Sequence, residues 1–263
     1  YSPALAHEKA LERRERIVTN SALKPGVLER ALKLLRDEQW SPRQISGKLA
    51  LDGIRISHER IYQEIRADKT GELASHTRHG MKHRKRGGAG KGGVKNIPNR
   101  VSIHDRPPEA DGKRFGDWEM DLIVDPQQNA ILTMTERSTN FILMKRLPQG
   151  KKAEPLAKEA VSMLRPWRDG VLTITTDNGG EFACHEMIVT GLRRKSVSDI
   201  AVFFADPYAS WQKGAIENAN GLIRQYIPKG VSFNNFSDEM IKEIQMKLNR
   251  RPREKLNFAT PIA

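Results

Sequence analysis

The chain has 263 residues and carries 45 Lys+Arg against 32 Asp+Glu, a formal net charge of +13. The excess is uneven, +11 over residues 1–115 and +2 over 116–263, so a polyanion-binding front half is expected to precede a part with a different task. A single cysteine, Cys184, excludes an internal disulfide framework and any Cys-based zinc finger, and no apolar run approaches the ~18–20 residues that span a bilayer.

Residues 1–18 have the alanine, leucine and charge content of a short helix. Over 25–40, Val27, Leu28, Ala31, Leu32, Leu34 and Leu35 repeat at helical spacing. Ser41-Pro42-Arg43-Gln44 predicts a helix start, with Ser41 capping, Pro42 in the first turn and Gln44 completing a capping box. Asp52-Gly53 ends that helix, and Ser57 caps the next, whose apolar face is Ile61, Tyr62 and Ile65. These short helices outline a helix-turn-helix. Its second helix, 57–66, is the candidate for the major groove, with Ser57, His58 and Arg60 near its start and Arg43 and Gln44 at the preceding helix start reaching phosphates or base edges. Each of these is equally readable as a solvated helix end.

No acidic residue lies between Glu72 and Asp105, and residues 76–100 hold eight Lys/Arg, three His and six Gly. Such a stretch reads as a basic linker, in which Lys82, Arg84, Lys85 and Arg86 are expected to touch phosphate or the minor groove. The expected division is a helix-turn-helix DNA-binding domain over 1–68, a basic linker over 69–115 and a catalytic domain over 116–263. Because the chain opens at Tyr1, the first of these is expected to be N-terminally shortened.

From Gly116 onward, strands are expected at 117–125, 130–135 and 141–147 as an antiparallel meander, then a helix at 152–168, a strand at 171–176, a helix at 184–195, a strand at 201–205, and helices at 214–227 and 237–250. This is an α/β domain on a mixed sheet. Alternation on the first strand puts Asp117, Glu119, Asp121 and Ile123 on one side. That acidic row is either the solvated face of an edge strand or a site containing Asp121. Asp177 stands at the end of the fourth strand before Asn178-Gly179-Gly180, where α/β folds place ligands, although the same residues make an ordinary turn. Glu217 lies opposite the apolar side of helix 214–227, one turn from Lys213, and is either a surface ion-pair partner or a third carboxylate. Carboxylates brought together repel and raise one another's pKa unless cations intervene. Two Mg²⁺ ions would neutralise them and bridge a phosphodiester.

These residues resemble a family. Gly116-Asp117-Trp118-Glu119-Met120-Asp121, Asp177-Asn178-Gly179-Gly180-Glu181-Phe182, Asp206-Pro207-Tyr208-Ala209-Ser210-Trp211-Gln212-Lys213-Gly214 and Glu217-Asn218-Ala219-Asn220-Gly221 are similar to motifs of the bacterial insertion-sequence transposases of the family numbered thirty. So are the tail Leu248-Asn249-Arg250-Arg251-Pro252-Arg253 with Thr260-Pro261, and Trp40-Ser41-Pro42 and Ser57-His58-Glu59 in the front half. The resemblance implies a ribonuclease-H-like, integrase-like catalytic fold. It implies a DDE triad of Asp121, Asp177 and Glu217, all three serving as ligands for two Mg²⁺ ions, with Mn²⁺ as substitute. It also implies cleavage of element ends followed by strand transfer. The partners would be double-stranded DNA, as terminal inverted repeats and target, and further copies of the chain in a dimer or larger synaptic assembly. The setting would be the bacterial cytoplasm, at the nucleoid, with no membrane.

Glu119 is expected to support the triad rather than join it. Trp211, Lys213 and Arg224, before and on the Glu217 helix, are expected to meet DNA, Trp211 by stacking, with a core or loop-packing role its equal alternative. Two departures stand out: 39 residues separate Asp177 from Glu217, more than the family usually has, with the excess expected in 190–200, and Ala209-Ser210 replaces the usual proline-containing pair. The alternatives to a transposase are a metal-dependent nuclease without strand transfer and a DNA-binding regulator with an inert catalytic domain.

Overall fold

The computed structural model of the chain describes residues 2–16, 23–78, 80–81, 97–193 and 200–262, with side chains of 13–16 left aside. Helix α1 (Pro3–Arg16) is followed by a compact group, α2 (Val27–Glu38), α3 (Pro42–Leu51), α4 (His58–Ala67) and the single turn α5 (Glu72–Ser75). Their shared core holds Ala31, Leu35, Trp40, Ile45, Leu49, Ile56, Ile61, Ile65 and Leu73. The expected start signals operate. Ser41 accepts from the Gln44 N–H while the Gln44 side chain accepts from the Ser41 N–H, closing the capping box, and Ser57 accepts from the Arg60 N–H. Each such cap contributes about 1 kcal/mol.

The remainder is organised on one six-stranded mixed sheet flanked by helices, the mixed-sheet α/β arrangement expected. The strands are β1 (Val101–Ser102), β2 (Asp117–Val124), β3 (Ala130–Glu136), β4 (Ile142–Leu147), β5 (Thr173–Thr176) and β6 (Ala201–Phe204), in the order β1-β6-β5-β2-β3-β4. β2, β3 and β4 form the antiparallel meander, and β5 and β6 continue the sheet parallel to β2. The stretch expected as linker is structured at both ends. Leu73 of α5 enters the helical core, Val101 and Ser102 pair with Phe203 and Phe204, and Ile97 packs into the main core. Two residues of strand and one isoleucine are too short a pattern to stand out of a basic background.

β2 is central, which removes the edge-strand alternative for its acidic face. Trp118 and Met120 point toward α6 (Ala153–Leu164) and α7 (His185–Leu192) in one core. Ile123 on the other face joins a second core under α8 (Gly214–Ile223) and α9 (Asp238–Asn249). α7 ends at Leu192, short of the expected 195, and residues 194–199, part of the 190–200 stretch where the longer spacing was expected, fall outside the described set.

The edge strand β4 is protected by α9. The Ile142 N–H donates to Asn249 Oδ1 and the Asn249 amide donates back to the Ile142 carbonyl, both at 2.8 Å, while the Met144 N–H donates to Gln245 Oε1 at 2.7 Å. An edge that would otherwise template another strand is thereby closed. Asn249→Leu leaves a buried N–H and C=O without partners, so denaturant unfolding should show a loss of about 1–3 kcal/mol, larger than for Gln245→Ala.

Candidate functional site

The three carboxylates of β2 have different fates, each set by its neighbours. Asp117 is fully buried and accepts both Arg114 Nε (2.9 Å) and Nη2 (3.1 Å), with Thr173 Oγ1 at 2.7 Å. Glu119, also buried, accepts Arg137 Nε at 2.9 Å on one oxygen and the Ile216 N–H at 2.8 Å on the other. The second bond ties β2 to the first turn of α8, a helix whose N-terminus has no side-chain cap of its own. Glu119 thus takes the place of a cap from a distant strand, where the helix dipole favours negative charge. Burial raises its pKa, against the lowering pull of that backbone bond and of Arg137.

Asp121 faces the rim of the sheet. Lys213, at the mouth of α8 and only 6% exposed, places its Nζ 3.5 Å from Asp121 Oδ1 and 3.1 Å from Asp177 Oδ2. Asn220 Nδ2 donates to Asp121 Oδ2 at 2.8 Å and is itself oriented by Thr133 Oγ1 at 2.9 Å. Burial raises the Asp121 pKa and the charge of Asp177 adds to the rise, while Lys213 opposes it. Burial alone would lower the Lys213 pKa, but the two aspartates overturn that and raise it, so the ammonium stays charged. Asp177, just past the end of β5, is half-exposed and receives the Gly179 N–H at 2.9 Å, the turn chemistry read from its sequence.

Glu217 is exposed on α8. It sits four residues after Lys213 and three before Asn220, positions that share one helix face, and both of those side chains reach Asp121. Glu217 also lines a groove of about 700 Å³ with Leu122, Val124, Asn220 and Arg224. The structure therefore brings Asp121 and Asp177 together around Lys213 and puts Glu217 on the adjoining helical face. Among the described residues, no three His, Cys, Asp or Glu side chains converge as a ready-made metal cage. The donor set nonetheless fits a hard divalent cation. Its atoms are carboxylate oxygens, and the pair of aspartates already requires a cation between them, the demand that Lys213 meets.

The remaining expected residues divide. Lys213, expected at the DNA, is buried between the aspartates. Arg43 pairs with Glu254, and the Gln44 amide donates to the Pro252 carbonyl at 3.0 Å, so both engage the C-terminal tail, while both also line clefts beside it. Ser57 and His58 are exposed at the start of α4, His58 edge-on to Tyr62, and Arg60 pairs with Glu64 at 2.6 Å. Arg224 donates to the Val124 and Ile227 carbonyls at 3.4 Å and lies over the Phe233 ring. Trp211 is 75% exposed on the loop before α8, which excludes a core role. Lys82, Arg84, Lys85 and Arg86 lie outside the described residues. Sequence reasoning missed the clamp formed by Lys213 and Asn220. Their seven-residue separation on the Glu217 helix was the available signal.

No family model matches the chain. Curated relatives do. It is 44% identical over 269 residues to the transposase for insertion sequence element IS4351 of Bacteroides fragilis, covering 99% of this chain and 79% of that protein. It is 35% identical to the transposase for insertion sequence element IS1086 of Cupriavidus metallidurans, covering 90% and 71%. It is 32% identical to transposase InsI for insertion sequence element IS30A of Escherichia coli K12, covering 90% and 66%. Among solved structures, a cryo-EM structure of the simian T-cell lymphotropic virus intasome with the PP2A regulatory subunit B56 gamma aligns at 15% identity and a TM-score of 0.38, over 69% of this chain and 59% of that one.

The raised pKa of Asp121 fixes a sign. A carboxyl whose folded pKa exceeds its unfolded value stabilises the fold fully below the unfolded value and loses that contribution as pH rises through the folded one. Asp121→Asn removes this titration, so unfolding free energy measured from the acid range toward neutrality should fall less with rising pH than in the wild type. Glu119→Gln can accept only one of the two donors that Glu119 now satisfies, and should cost about 1–3 kcal/mol in the same measurement.

Proposed function

We propose, for a chain that belongs to the insertion-sequence transposases of the IS30 family, that it cuts the ends of its element and joins them to target DNA by two-metal phosphodiester chemistry at Asp121, Asp177 and Glu217. The observation that carries this is the meeting of Asp121 and Asp177 around one buried cation, beside the helix face that bears Glu217. Those three carboxylates would hold Mg²⁺ or Mn²⁺, which when bound supplies activation of the attacking oxygen and stabilisation of the leaving 3′ oxygen.

The chain's own groups do the rest. Glu119 and Arg137 fix the start of α8, so that Glu217 is presented at a constant distance from β2. Asn220 holds one oxygen of Asp121 and leaves the other toward Lys213. The Lys213 ammonium keeps the aspartates together before substrate arrives and offers positive charge to an incoming phosphodiester. Trp211 stands out from the loop as a surface on which a base stacks. Hydrolysis breaks a P–O3′ bond at the element end, leaving a 3′-hydroxyl there and a 5′-phosphate on the flank. Strand transfer then forms a P–O bond from that hydroxyl to a target phosphate and releases a target 3′-hydroxyl.

The helical group of α2–α5 would bind the terminal inverted repeats through the start of α4, followed by the basic stretch containing Lys82, Arg84, Lys85 and Arg86. Joining two ends requires two or more copies of the chain. No helix among the described residues is long and apolar enough to cross a membrane, and the work would be done at the bacterial nucleoid.

The test is cleavage and joining of a labelled element-end duplex by purified variants. Asp121→Asn, Asp177→Asn and Glu217→Gln should fold and bind the duplex but lose cleavage. Glu119→Gln, acting through the position of α8, should lose about 10–100-fold. Mg²⁺ and Mn²⁺ should support the wild type, and Ca²⁺, with longer and looser coordination, should support binding with little cleavage. Robust cleavage by Asp177→Asn or Glu217→Gln would refute the triad. Cutting without any joined product would leave a nuclease.

A further inference from the structure

Between the helical group and the sheet lies a cleft of about 500 Å³ whose walls include Arg78, Arg251 and Arg253. Arg251 is 2% exposed and Arg253 5% exposed, and the Nε of each is buried without a hydrogen-bond partner. Their remaining bonds go to neutral acceptors: Arg251 to Gln225 Oε1 (2.9 Å) and the Tyr226 hydroxyl (3.1 Å), Arg253 to the Leu248 carbonyl (3.0 Å). Arg78 donates to Asn218 Oδ1 at 2.7 Å and to the Asn218 carbonyl at 3.4 Å. Among the described residues, none of the three forms an ion pair with a carboxylate. Glu254, beside Arg253 in sequence, is engaged by Arg43, and Glu38 reaches Arg251 only through its field.

Guanidinium groups do not shed their charge near neutral pH, and a buried unpaired charge is among the costliest features a fold can carry. Burial, and then the proximity of Arg251, pull the Arg253 pKa down to about 10 and lower that of Arg78. Three guanidinium groups, two of them buried and Arg78 exposed at the mouth, line one cleft with only neutral hydrogen-bond acceptors around them, an arrangement whose charge an anion in the cleft would offset. The volume admits a phosphate with its flanking sugars. Arg78 also lines the groove that holds Glu217 and Asn220, so the cleft adjoins that groove. Gly221 makes room for Arg78 there, since a Cβ at that position would lie 2.3 Å from Arg78 Nη2.

We propose that this cleft is a phosphate site in which Arg78, Arg251 and Arg253 grip one phosphodiester of the DNA backbone leading into the catalytic groove. Its identification as DNA rests on the transposase reading; the anion site itself does not. The grip would place the strand by its backbone without reading its sequence.

Two measurements on the full chain test it. The first is thermal unfolding in sodium phosphate against sodium chloride at equal ionic strength. The wild type should gain melting temperature saturably with phosphate, and Arg253→Gln and Arg78→Gln should not. Arg253→Gln should also melt higher than the wild type in chloride, because an unpaired buried charge has gone. The second is the salt dependence of binding to an element-end duplex, where Arg78→Gln and Arg253→Gln combined should lower the slope of log K against log salt by about 0.9, one phosphate contact. No saturable gain in the wild type, a gain retained in both variants, or a lower melting temperature of Arg253→Gln in chloride overturns the anion site. A lost phosphate gain with an unchanged slope overturns DNA as its occupant. Neither readout depends on cleavage, so failure of the triad and failure of this site are separately visible.

Discussion

Two aspartates, one on β2 and one just past the end of its parallel neighbour β5, held against their mutual repulsion by one buried lysine, are the constraint around which this fold is arranged. Lys213 can reach both Asp121 and Asp177 only because α8 begins at a fixed place over the sheet, and α8 begins there because Glu119 accepts its first-turn N–H groups. Glu119 in turn tolerates burial because Arg137 neutralises it. The chain of dependence runs from Arg137 through Glu119 and the helix start to the lysine, and then to the pair of carboxylates. Each link offsets a desolvation cost created by the one after it.

The C-terminal tail performs a second piece of positioning. Phe258 lies where a side chain on Gly47 would stand, its ring within 2.3 Å of that Cβ site, so the tail nests on α3. Glu254 pairs with Arg43 and the Pro252 carbonyl accepts from Gln44. A helical group that would otherwise be joined to the sheet only through a basic connection is therefore tied to it along a second, well-packed seam. Arg251 and Arg253 of the tail motif are buried in that seam, while Arg250 stays exposed.

What the sequence made legible follows from range. Capping residues, helical periodicity and strand alternation are local, and the capping box at Ser41, the cap at Ser57 and the three-stranded meander all form as read. The carboxylates were visible because charge on an apolar strand is conspicuous. Their surroundings were not. Arg43 and Gln44 read as residues facing DNA because their partners lie 211 and 208 residues away in the tail. Lys213 read the same way because a lysine ahead of a helix carries no local sign that two aspartates, 92 and 36 residues before it, will enclose it. The acidic face of β2 left an edge strand open as an alternative until the parallel pairing with β5 made the strand central.

α8 joins the two charged features of the molecule. Lys213, at its entry, and Glu217 and Asn220 on its first turns belong to the side that meets Asp121. Asn218 and Leu222, four residues apart, line the arginine cleft together with Gln225 just past the helix end; Ile216, Ala219 and Ile223 bury the helix against the sheet. Acidic and basic clusters thus sit on different faces of one short rigid rod. Negative charge alone at the aspartates would repel a phosphate backbone, and positive charge alone in the cleft would hold it away from them. Set at a fixed separation by the same helix, the basic cleft supplies the attraction that the carboxylates lack. A displacement of α8 large enough to disturb one must disturb the other, which is why the Glu119 bond to its first turn governs both.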